Sequence, residues 1–542
     1  MQATELTEQL STDLQPWGGR RLAPPAIVWL PATAVTAVLL LPIAYLLMRA
    51  WGGTEELWFT LTRPRTLDLF MRSTALVLVV VGVCAVIAVP LAWLTVRTDL
   101  AFKGPIAVLA SLPLVIPSYV GAFLLLSALG PRGLLHEALS GWGVMELPSI
   151  YGFPGAALAL SLLSFPYVFL IVRAALQRAD PSVEEAARSL GKTAYQVFWQ
   201  VTLPMLRPAI AGGSLLVALY TLSDFGAVSL FRYETFTWAI YLQYLSAFDR
   251  TAAAALSLVL VALALIVLTT EAQTRGGEHY ARSGAGVARY SRQIALGRWQ
   301  WLALGFCLLV IALSLLLPVG ILVYWVVQGL LAGEQLDPVW EITRNSLFVS
   351  AAAALATIVA AIPLAVLIVR YRSVWSQWME RAAYVSFALP GIVIALALVF
   401  FGARYVPFLY QTVGLLIIAY LIHFLPTALA AARSSLLNVN PSVEEAARGL
   451  GHAPLGVLVR VTVPLVLPGL LAGAALVFLL TMKELPATLL LSPPGFKTLA
   501  TTVWSYAEAA FFARTAFPAL VLLVASSVPM ALLVSRETRW VR

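Results

Sequence analysis

The sequence predicts an all-α polytopic membrane protein with about 12 transmembrane helices, arranged as two tandem six-helix repeats. Of its 542 residues, 61% are hydrophobic and only 11% are charged, whereas soluble domains carry about a quarter charged residues. The apolar residues also fall in repeated blocks of about 20 or more, the length that a helix needs to cross roughly 30 Å of hydrocarbon. A lipid bilayer is the solvent that suits this composition.

Six spans are predicted in each half of the chain. In the first half they fall at about 27–48, 73–96, 105–129, 151–172, 207–231 and 252–270. In the second half they fall at about 300–328, 345–369, 382–402, 412–432, 467–491 and 515–535. The predicted organisation is therefore a cytoplasmic N-terminal segment (1–26), a first repeat (27–270), a cytoplasmic linker (271–298) and a second repeat (299–542).

The distribution of lysine and arginine predicts the orientation, because positively charged loops stay in the cytoplasm. With both termini inside, 23 of the 35 basic residues fall on the cytoplasmic side and 12 outside. The opposite orientation would place the arginine-rich linker outside. The net charge of +9 thus reflects topology, and no basic stripe in a soluble segment indicates a nucleic-acid partner.

The two halves share an internal repeat. Residues 181–188 recur without change at 441–448. The same offset of 260 relates Pro204 to Pro464 and Pro208 to Pro468, while an offset of 273 relates Pro90 to Pro363, Arg97 to Arg370 and Pro117 to Pro390. Since each unit has an even number of spans, the halves have the same orientation and an axis along the membrane normal would relate them.

Each repeated polar segment is predicted to be a short helical hairpin between the fourth and fifth spans. Asp180 or Asn440 can cap a helix with proline at its first position. Alternatively, Ser182 and Ser442 can cap it, with Glu185 and Glu445 completing a capping box. Gly191 and Gly451 suit the left-handed position that ends a helix. A well-capped surface loop without further function is the simpler interpretation, but two identical copies disfavour it.

These hairpins resemble the cytoplasmic signature of importer permeases of the ATP-binding-cassette class. The signature is Glu-Ala-Ala, three residues, Gly, nine residues, a β-branched residue, one residue, an aliphatic residue and Pro. It is present as Glu185-Ala186-Ala187, Gly191, Val201, Leu203 and Pro204, and as Glu445-Ala446-Ala447, Gly451, Val461, Val463 and Pro464. The resemblance implies that each hairpin is a coupling helix that docks on an ATPase subunit. The implied coupling residues are Glu184, Glu185, Ala186, Ala187, Gly191, Glu444, Glu445, Ala446, Ala447 and Gly451.

The resemblance also implies partners and a location. We expect two ATP-binding-cassette ATPase subunits on the cytoplasmic face, a periplasmic substrate-binding protein, and a bacterial inner membrane whose lipid surrounds the spans. The chain itself lacks a phosphate-binding loop, because Gly191-Lys192-Thr193 has Ala186 where the first glycine is required. We therefore expect no enzymatic activity and no cofactor in this chain, with ATP and Mg held by the partners. An ion-coupled secondary transporter is the alternative from another class.

Two acids fall in predicted fifth spans at equivalent positions. Asp224 and Glu484 are separated by the repeat offset of 260. An acid at the middle of a membrane costs about 2.5 to 3.5 kcal/mol on insertion scales, so it normally faces a cavity or a partner. The hypothesis is that both lie on the translocation path with Lys483. The alternative is structural, with Glu484 paired to Lys483 and Asp224 bonded to a serine or a backbone amide.

The surrounding segments narrow the resemblance to fused permeases for ferric iron. The stretches 223–227 and 483–491 carry it, and fused permeases for thiamine or another small cationic solute are the alternative. Because Fe³⁺ is a hard cation that prefers oxygen ligands, Asp224 and Glu484 are candidate transient metal ligands. The four histidines form no ligand cluster in the sequence.

Prolines in the third spans are predicted to kink these helices, because proline lacks the backbone N–H of the helical ladder. Pro117 lies in the first repeat, followed by Tyr119, and Pro390 lies in the second. The hypothesis is that the third spans line the path and help to gate it. A kink that merely fits the packing is the alternative.

Overall fold

The described part of the protein is built from α-helices. The computed structural model describes residues 24–52, 54–131, 133–140, 142, 147–179, 182–245, 250–274, 293–334, 339–387 and 389–539. Within these ranges, the one β-type pairing is an isolated bridge between Thr98 and Ile294. The fold class is therefore the predicted all-α class.

The first half of the chain contains thirteen helices in the described residues. They are α1 (Ala26–Gly52), α2 (Thr54–Thr62), α3 (Pro64–Arg97), α4 (Lys103–Ser111), α5 (Ser118–Leu129), α6 (Leu134–Ser140), α7 (Phe153–Arg178), α8 (Ser182–Ser189), α9 (Ala194–Val197), α10 (Leu203–Ser223), α11 (Gly226–Leu230), α12 (Phe236–Leu245) and α13 (Arg250–Thr274). A 3-10 turn, Leu112–Val115, extends α4, and a π-helical turn, Phe198–Thr202, leads into α10.

The second half repeats most of this order. Its helices are α14 (Gln300–Ile311), α15 (Leu317–Leu331), α16 (Trp340–Arg370), α17 (Val374–Phe387), α18 (Gly391–Tyr405), α19 (Val413–Leu437), α20 (Pro441–Gly449), α21 (Pro454–Val457), α22 (Val463–Met482), α23 (Pro486–Leu491), α24 (Leu499–Glu508) and α25 (Phe512–Arg539). A π-helical turn, Leu458–Thr462, again precedes the fifth span. The repeated turn shows that the two halves share local backbone geometry as well as sequence.

The number of spans agrees with the prediction. Within the described residues, eleven helical stretches are long and apolar enough to cross a membrane, and α17 with α18 makes a twelfth if this pair, bent by 107°, is one span. The protein is therefore a multi-pass membrane protein. The exact repeat and linker boundaries given above stay a prediction.

Four predicted spans are not continuous helices, which corrects the sequence interpretation. The predicted span 105–129 is interrupted before Pro117, and the span 382–402 is interrupted before Pro390. The predicted spans 207–231 and 467–491 break after Ser223 and Met482. Proline explains the first two breaks, since it cannot donate the helical hydrogen bond. The other two breaks occur at the polar residues Asp224 and Lys483. Hydropathy averaged over a long apolar segment does not reveal a single polar residue within it.

Glycines allow the fourth and fifth spans to pack closely in both repeats. A Cβ on Gly213 of α10 would lie 2.7 Å from the Cα of Val168 in α7. A Cβ on Gly473 of α22, the equivalent position, would lie 2.8 Å from the Cβ of Ala431 in α19. Small residues let helix backbones approach each other where no hydrophobic driving force exists between lipid-embedded helices.

The first span of each half also contacts the opposite half. Helix α1 packs against α16, α17 and α18, and Tyr45 places its ring 4.9 Å from that of Phe400. Helix α15 packs against α5, and the indole of Trp325 donates a hydrogen bond to Ser127. Each repeat therefore packs its first span against helices of the other repeat.

Candidate functional site

The hairpin of the second repeat has the predicted caps. Asn440 accepts a hydrogen bond from the N–H of Ser442 at 3.1 Å, so Asn440 caps α20 and the alternative cap by Ser442 is wrong. At the other end, Gly451 has φ +87° and the N–H of His452 donates to the carbonyl of Ala447 at 3.2 Å. Glycine is preferred there because a Cβ is strained at positive φ.

The hairpin of the first repeat has the same C-terminal geometry. Gly191 has φ +84°, and the N–H of Lys192 donates to the carbonyl of Ala187 at 3.2 Å. Asp180, the predicted cap of α8, lies outside the described residues. The matched turns confirm the two predicted helical hairpins at equivalent positions.

Burial divides each predicted signature into an inner and an outer set. In the first repeat Glu184 and Ala187 are buried, whereas Glu185, Ala186 and Gly191 are exposed. In the second repeat Glu444 and Ala447 are buried, whereas Glu445, Ala446 and Gly451 are exposed. Leu190 and Leu450 follow the helices and are 82% and 83% exposed. Each hairpin thus presents one acid, small residues and a bare leucine on its outer surface.

A buried ion pair anchors each hairpin to the end of the second span. Arg97 at the end of α3 lies 3.2 Å from Glu184, with side-chain exposures of 4% and 7%. In the second repeat, Arg370 at the end of α16 lies 3.2 Å from Glu444, with exposures of 12% and 7%. Thr462 also donates to Glu444 at 3.1 Å. The sequence had identified both arginines as repeated positions but not this pairing.

The linker also ends on the first anchor. The N–H of Ile294 donates to the carbonyl of Arg97 at 2.9 Å, and the N–H of Leu296 donates to the Asp99 carboxylate at 2.9 Å. The chain thus enters the second repeat directly beside the first hairpin.

The two acids at repeat-equivalent positions, Asp224 and Glu484, lie at the breaks of the predicted fifth spans. Asp224 is 6% exposed and accepts hydrogen bonds from the N–H groups of Ala227 and Val228, at 2.9 and 3.3 Å. Glu484 is 7% exposed and accepts from the N–H groups of Ala487 and Thr488, both at 3.2 Å. Each carboxylate therefore caps the short helix that follows it, α11 or α23, where a negative charge is favourable.

The observed hydrogen bonds test both parts of the structural alternative. The Asp224 carboxylate binds backbone amides, as the structural alternative expected. The Glu484 carboxylate accepts from amides and from the Thr488 hydroxyl at 3.1 Å. The pairing of Glu484 with Lys483 is wrong, because the Lys483 ammonium donates to the carbonyl of Leu114 in the first repeat at 2.8 Å. Capping and a role on the path are compatible, and the path role stays a prediction.

The restart of each third span lies against the broken fifth span of the same repeat. Pro117 precedes α5, and a Cβ on Gly226 would lie 2.7 Å from the Cβ of Tyr119. Pro390 precedes α18, and a Cβ on Gly391 would lie 2.5 Å from the Glu484 carboxylate. In each repeat, the break of the third span therefore lies next to the break of the fifth span.

An aromatic cluster that the sequence analysis missed joins the repeats beyond Asp224. The ring of Phe225 lies 4.7 Å from Tyr241, 5.7 Å from Trp238 and 5.8 Å from Trp504. The Trp504 indole also donates to Ser229 at 3.3 Å. Trp504 is far from the other four residues in the sequence, and only the fold brings it to them. Among the described residues, no group of three His, Cys, Asp or Glu side chains is placed to hold a metal ion.

Comparison with known proteins agrees with this architecture. The family described as binding-protein-dependent transport system inner membrane component matches residues 85–273 and again residues 355–540. The Fe(3+)-transport system permease protein FbpB 2 of Haemophilus influenzae is 36% identical over 516 residues, covering 94% of this chain and 98% of that protein.

Other relatives match less of the chain or at lower identity. The putative ferric transport system permease protein FbpB 1 of Haemophilus influenzae is 26% identical over 409 residues, covering 72% of this chain and 64% of that protein. The molybdenum transport system permease protein ModB of Mycobacterium tuberculosis is 31% identical over 258 residues, covering 46% of this chain and 95% of that protein. With two family matches in tandem and a relative similar over nearly its full length, the chain belongs to the binding-protein-dependent transport system inner membrane components, in a form with two fused repeats.

Proposed function

We propose that this chain is the permease subunit of an ATP-driven importer that moves ferric iron from the periplasm to the cytoplasm. The observation that carries the proposal is the 36% identity to an Fe(3+)-transport system permease across 94% of the chain. The oxygen-rich breaks at Asp224 and Glu484 support a hard cationic cargo. Family membership argues against the ion-coupled alternative, because a binding-protein-dependent system uses a delivered solute.

The paired hairpins support two ATPase subunits on the cytoplasmic face. Their outer surfaces expose Glu185 and Leu190 in one repeat, and Glu445 and Leu450 in the other. The buried anchors behind them transmit a push on the hairpin to the second span without side-chain slack, because an ion pair held in a desolvated setting resists separation. ATP and Mg belong to the partners, and this chain contributes the docking surface.

The translocation path runs between the repeats in this proposal. The close approach of Gly226 to Tyr119 and of Gly391 to Glu484 at the broken third and fifth spans supports a path that Asp224 and Glu484 would line from opposite repeats. Irregular backbone is tolerated at membrane depth where protein surrounds it or a cavity adjoins it. A trivalent cation passing between two carboxylates would be bound transiently and then released, as transport requires.

A periplasmic binding protein would deliver the cargo at the opposite end of the path. Helices α12 and α24 follow the fifth spans in the two repeats and are at that end in the predicted orientation.

Exposed apolar side chains such as Leu78, Val86 and Leu355 on the long spans would face lipid.

Uptake of radiolabelled ferric iron tests the proposal. The chain is co-expressed with a cognate binding protein and ATPase in cells that lack other ferric importers, and uptake of iron and of labelled thiamine is measured in parallel. We expect iron uptake that requires ATP and all three components. Thiamine uptake without iron uptake would assign the cargo to the alternative class, and uptake of neither solute would reject both.

A further inference from the structure

A charged hydrogen bond joins the broken fifth span of one repeat to the broken third span of the other. The Lys483 ammonium, at the end of α22 in the second repeat, donates to the carbonyl of Leu114 in the first repeat at 2.8 Å. Burying an ammonium among apolar side chains is costly unless it finds a partner. A main-chain carbonyl on the opposite repeat is an unusual choice when the carboxylate of Glu484 is the next residue.

The break at Pro117 supplies the acceptor. The 3-10 turn Leu112–Val115 is followed by Ile116, whose N–H donates to the carbonyl of Pro113 at 3.0 Å, and the next helix begins only at Ser118. In an uninterrupted helix, the carbonyl of Leu114 would accept from the N–H of Ser118. The last carbonyls of a helix also carry the negative end of its dipole, where a cation is favoured.

A small apolar cluster surrounds this contact and is separate from the main core. Val115 and Leu479 are 2% and 5% exposed, and Leu112 and Leu114 pack against them. Leu479 is one helical turn before Lys483 on α22, so the same helix supplies the apolar and the charged contacts. The third span of one repeat and the fifth span of the other are therefore closed against each other at this level.

The contact has no counterpart on the other side of the repeat axis. The repeat offset of 260 places Ser223 at the position equivalent to Lys483. A short hydroxyl side chain there cannot reach as far as a lysine. The charged bond is thus a one-sided feature added to an otherwise symmetric pair of breaks.

We propose that Lys483 is a tether that holds the path closed by binding the Leu114 carbonyl, and that this bond breaks when the repeats separate during transport. This inference rests on the proposed path between the repeats. Lys483 acts in it as a positioning residue: it sets the population of the closed state rather than binding the cargo.

Disulfide trapping tests the tether. Val115→Cys and Leu479→Cys are combined in a chain with Cys84→Ala and Cys307→Ala, and the initial rate of cross-linking reports the closed state. Lys483→Met should lower the closed-to-open ratio at least about threefold, the shift that one hydrogen bond of ordinary net strength supports, and the cross-linking rate should fall with the closed population. This variant should also raise ATP hydrolysis by the assembled complex without binding protein. Lys483→Arg, which keeps the charged donor, should recover much of the cross-linking.

Two further variants keep the test decisive. Lys497→Met removes an exposed lysine and should leave both rates unchanged. Pro117→Ala lets the helix continue and withdraws the Leu114 carbonyl, so it should weaken trapping as Lys483→Met does, even if the latter assembles poorly. Unchanged trapping and hydrolysis in Lys483→Met and Pro117→Ala would overturn the tether.

Uptake assays separate this inference from the proposed cargo. If Lys483→Met lowers iron uptake while trapping stays at the parental rate, the lysine acts on the cargo and the tether is wrong, although the importer proposal stands. If trapping weakens in a chain that imports no iron, the tether stands and the cargo proposal fails.

Discussion

At the scale of single residues, two neighbouring acids in each hairpin have different surroundings and therefore different roles. Glu185 and Glu445 belong to the recognisable pattern and are exposed, whereas Glu184 and Glu444 precede it and are buried against arginines. The outer acid is available to a partner protein, and the inner one fixes the hairpin to its own repeat. The sequence could not separate these roles, because the pairing arginine comes from a different span.

Removing one member of a buried anchor should loosen its hairpin. Arg97→Ala leaves Glu184 buried without its partner, which typically costs about 3 to 5 kcal/mol, so co-purification of the ATPase should fall sharply while the chain still inserts. Arg72→Ala is the control, because its pair with Asp68 is exposed on both sides and is worth at most about 1 kcal/mol. Equal loss of ATPase in both variants would contradict the anchor role.

Neutral variants of Asp224 and Glu484 test whether their negative charge is needed for transport. Asp224→Asn keeps an oxygen that can accept from both capped amides, whereas Glu484→Gln keeps only one of the two oxygens that accept from Ala487 and Thr488. Both variants remove the negative charge. We expect iron uptake to fall about tenfold or more in both variants, equivalent to about 1.4 kcal/mol, with little change in the melting temperature of Asp224→Asn, which keeps its cap. Uptake and melting are measured on the same preparations. Lower stability with normal uptake per molecule would show that the carboxylates act only as helix caps.

At the scale of elements, the sequence predicts the breaks in the third spans but not those in the fifth spans. Pro117 and Pro390 mark the third-span breaks directly, because proline forbids the helical bond. The fifth-span breaks are hidden, since Asp224 and Glu484 sit inside long apolar runs and hydropathy averages over them. The short helices α12 and α24 were missed because each is only ten residues long. Span number and repeat symmetry were predictable because they depend on composition over about 20 residues.

Filling the space at the breaks should impair the path. Gly226→Ala would force a methyl group to within 2.7 Å of Tyr119, and Gly391→Ala would force one to within 2.5 Å of the Glu484 carboxylate. Each should destabilise the break by about 1 to 3 kcal/mol and lower uptake. Gly82→Ala is the matched control, since nothing lies within 4 Å of its added methyl group and alanine favours the helix. Thermal melting and uptake distinguish the three variants.

At the scale of the whole molecule, the two halves have the same fold but differ in a few side chains and in their connection to the linker. The halves share hairpins, buried anchors, glycine contacts and broken spans. They differ at Lys483, which has serine as its counterpart, and at Arg97, which alone receives the linker through Ile294. A symmetric pair of ATPase subunits would therefore act on two docking surfaces of the same shape that are connected differently to the rest of the chain.

Stoichiometry tests whether each hairpin docks one ATPase subunit. Leu190 and Leu450 are 82% and 83% exposed beside the two hairpins, and a carboxylate there would have to be desolvated on docking without a partner, which is unfavourable. Leu190→Asp or Leu450→Asp alone should leave complexes with one subunit, and the double variant should leave none, as measured by native mass spectrometry. Phe408→Asp, at 84% exposed on the opposite side in the predicted topology, should keep both subunits. A double variant that still carries two would move the docking surface away from the hairpins. Unequal losses from the two single variants would instead measure how far the linker and its anchor have made the halves differ.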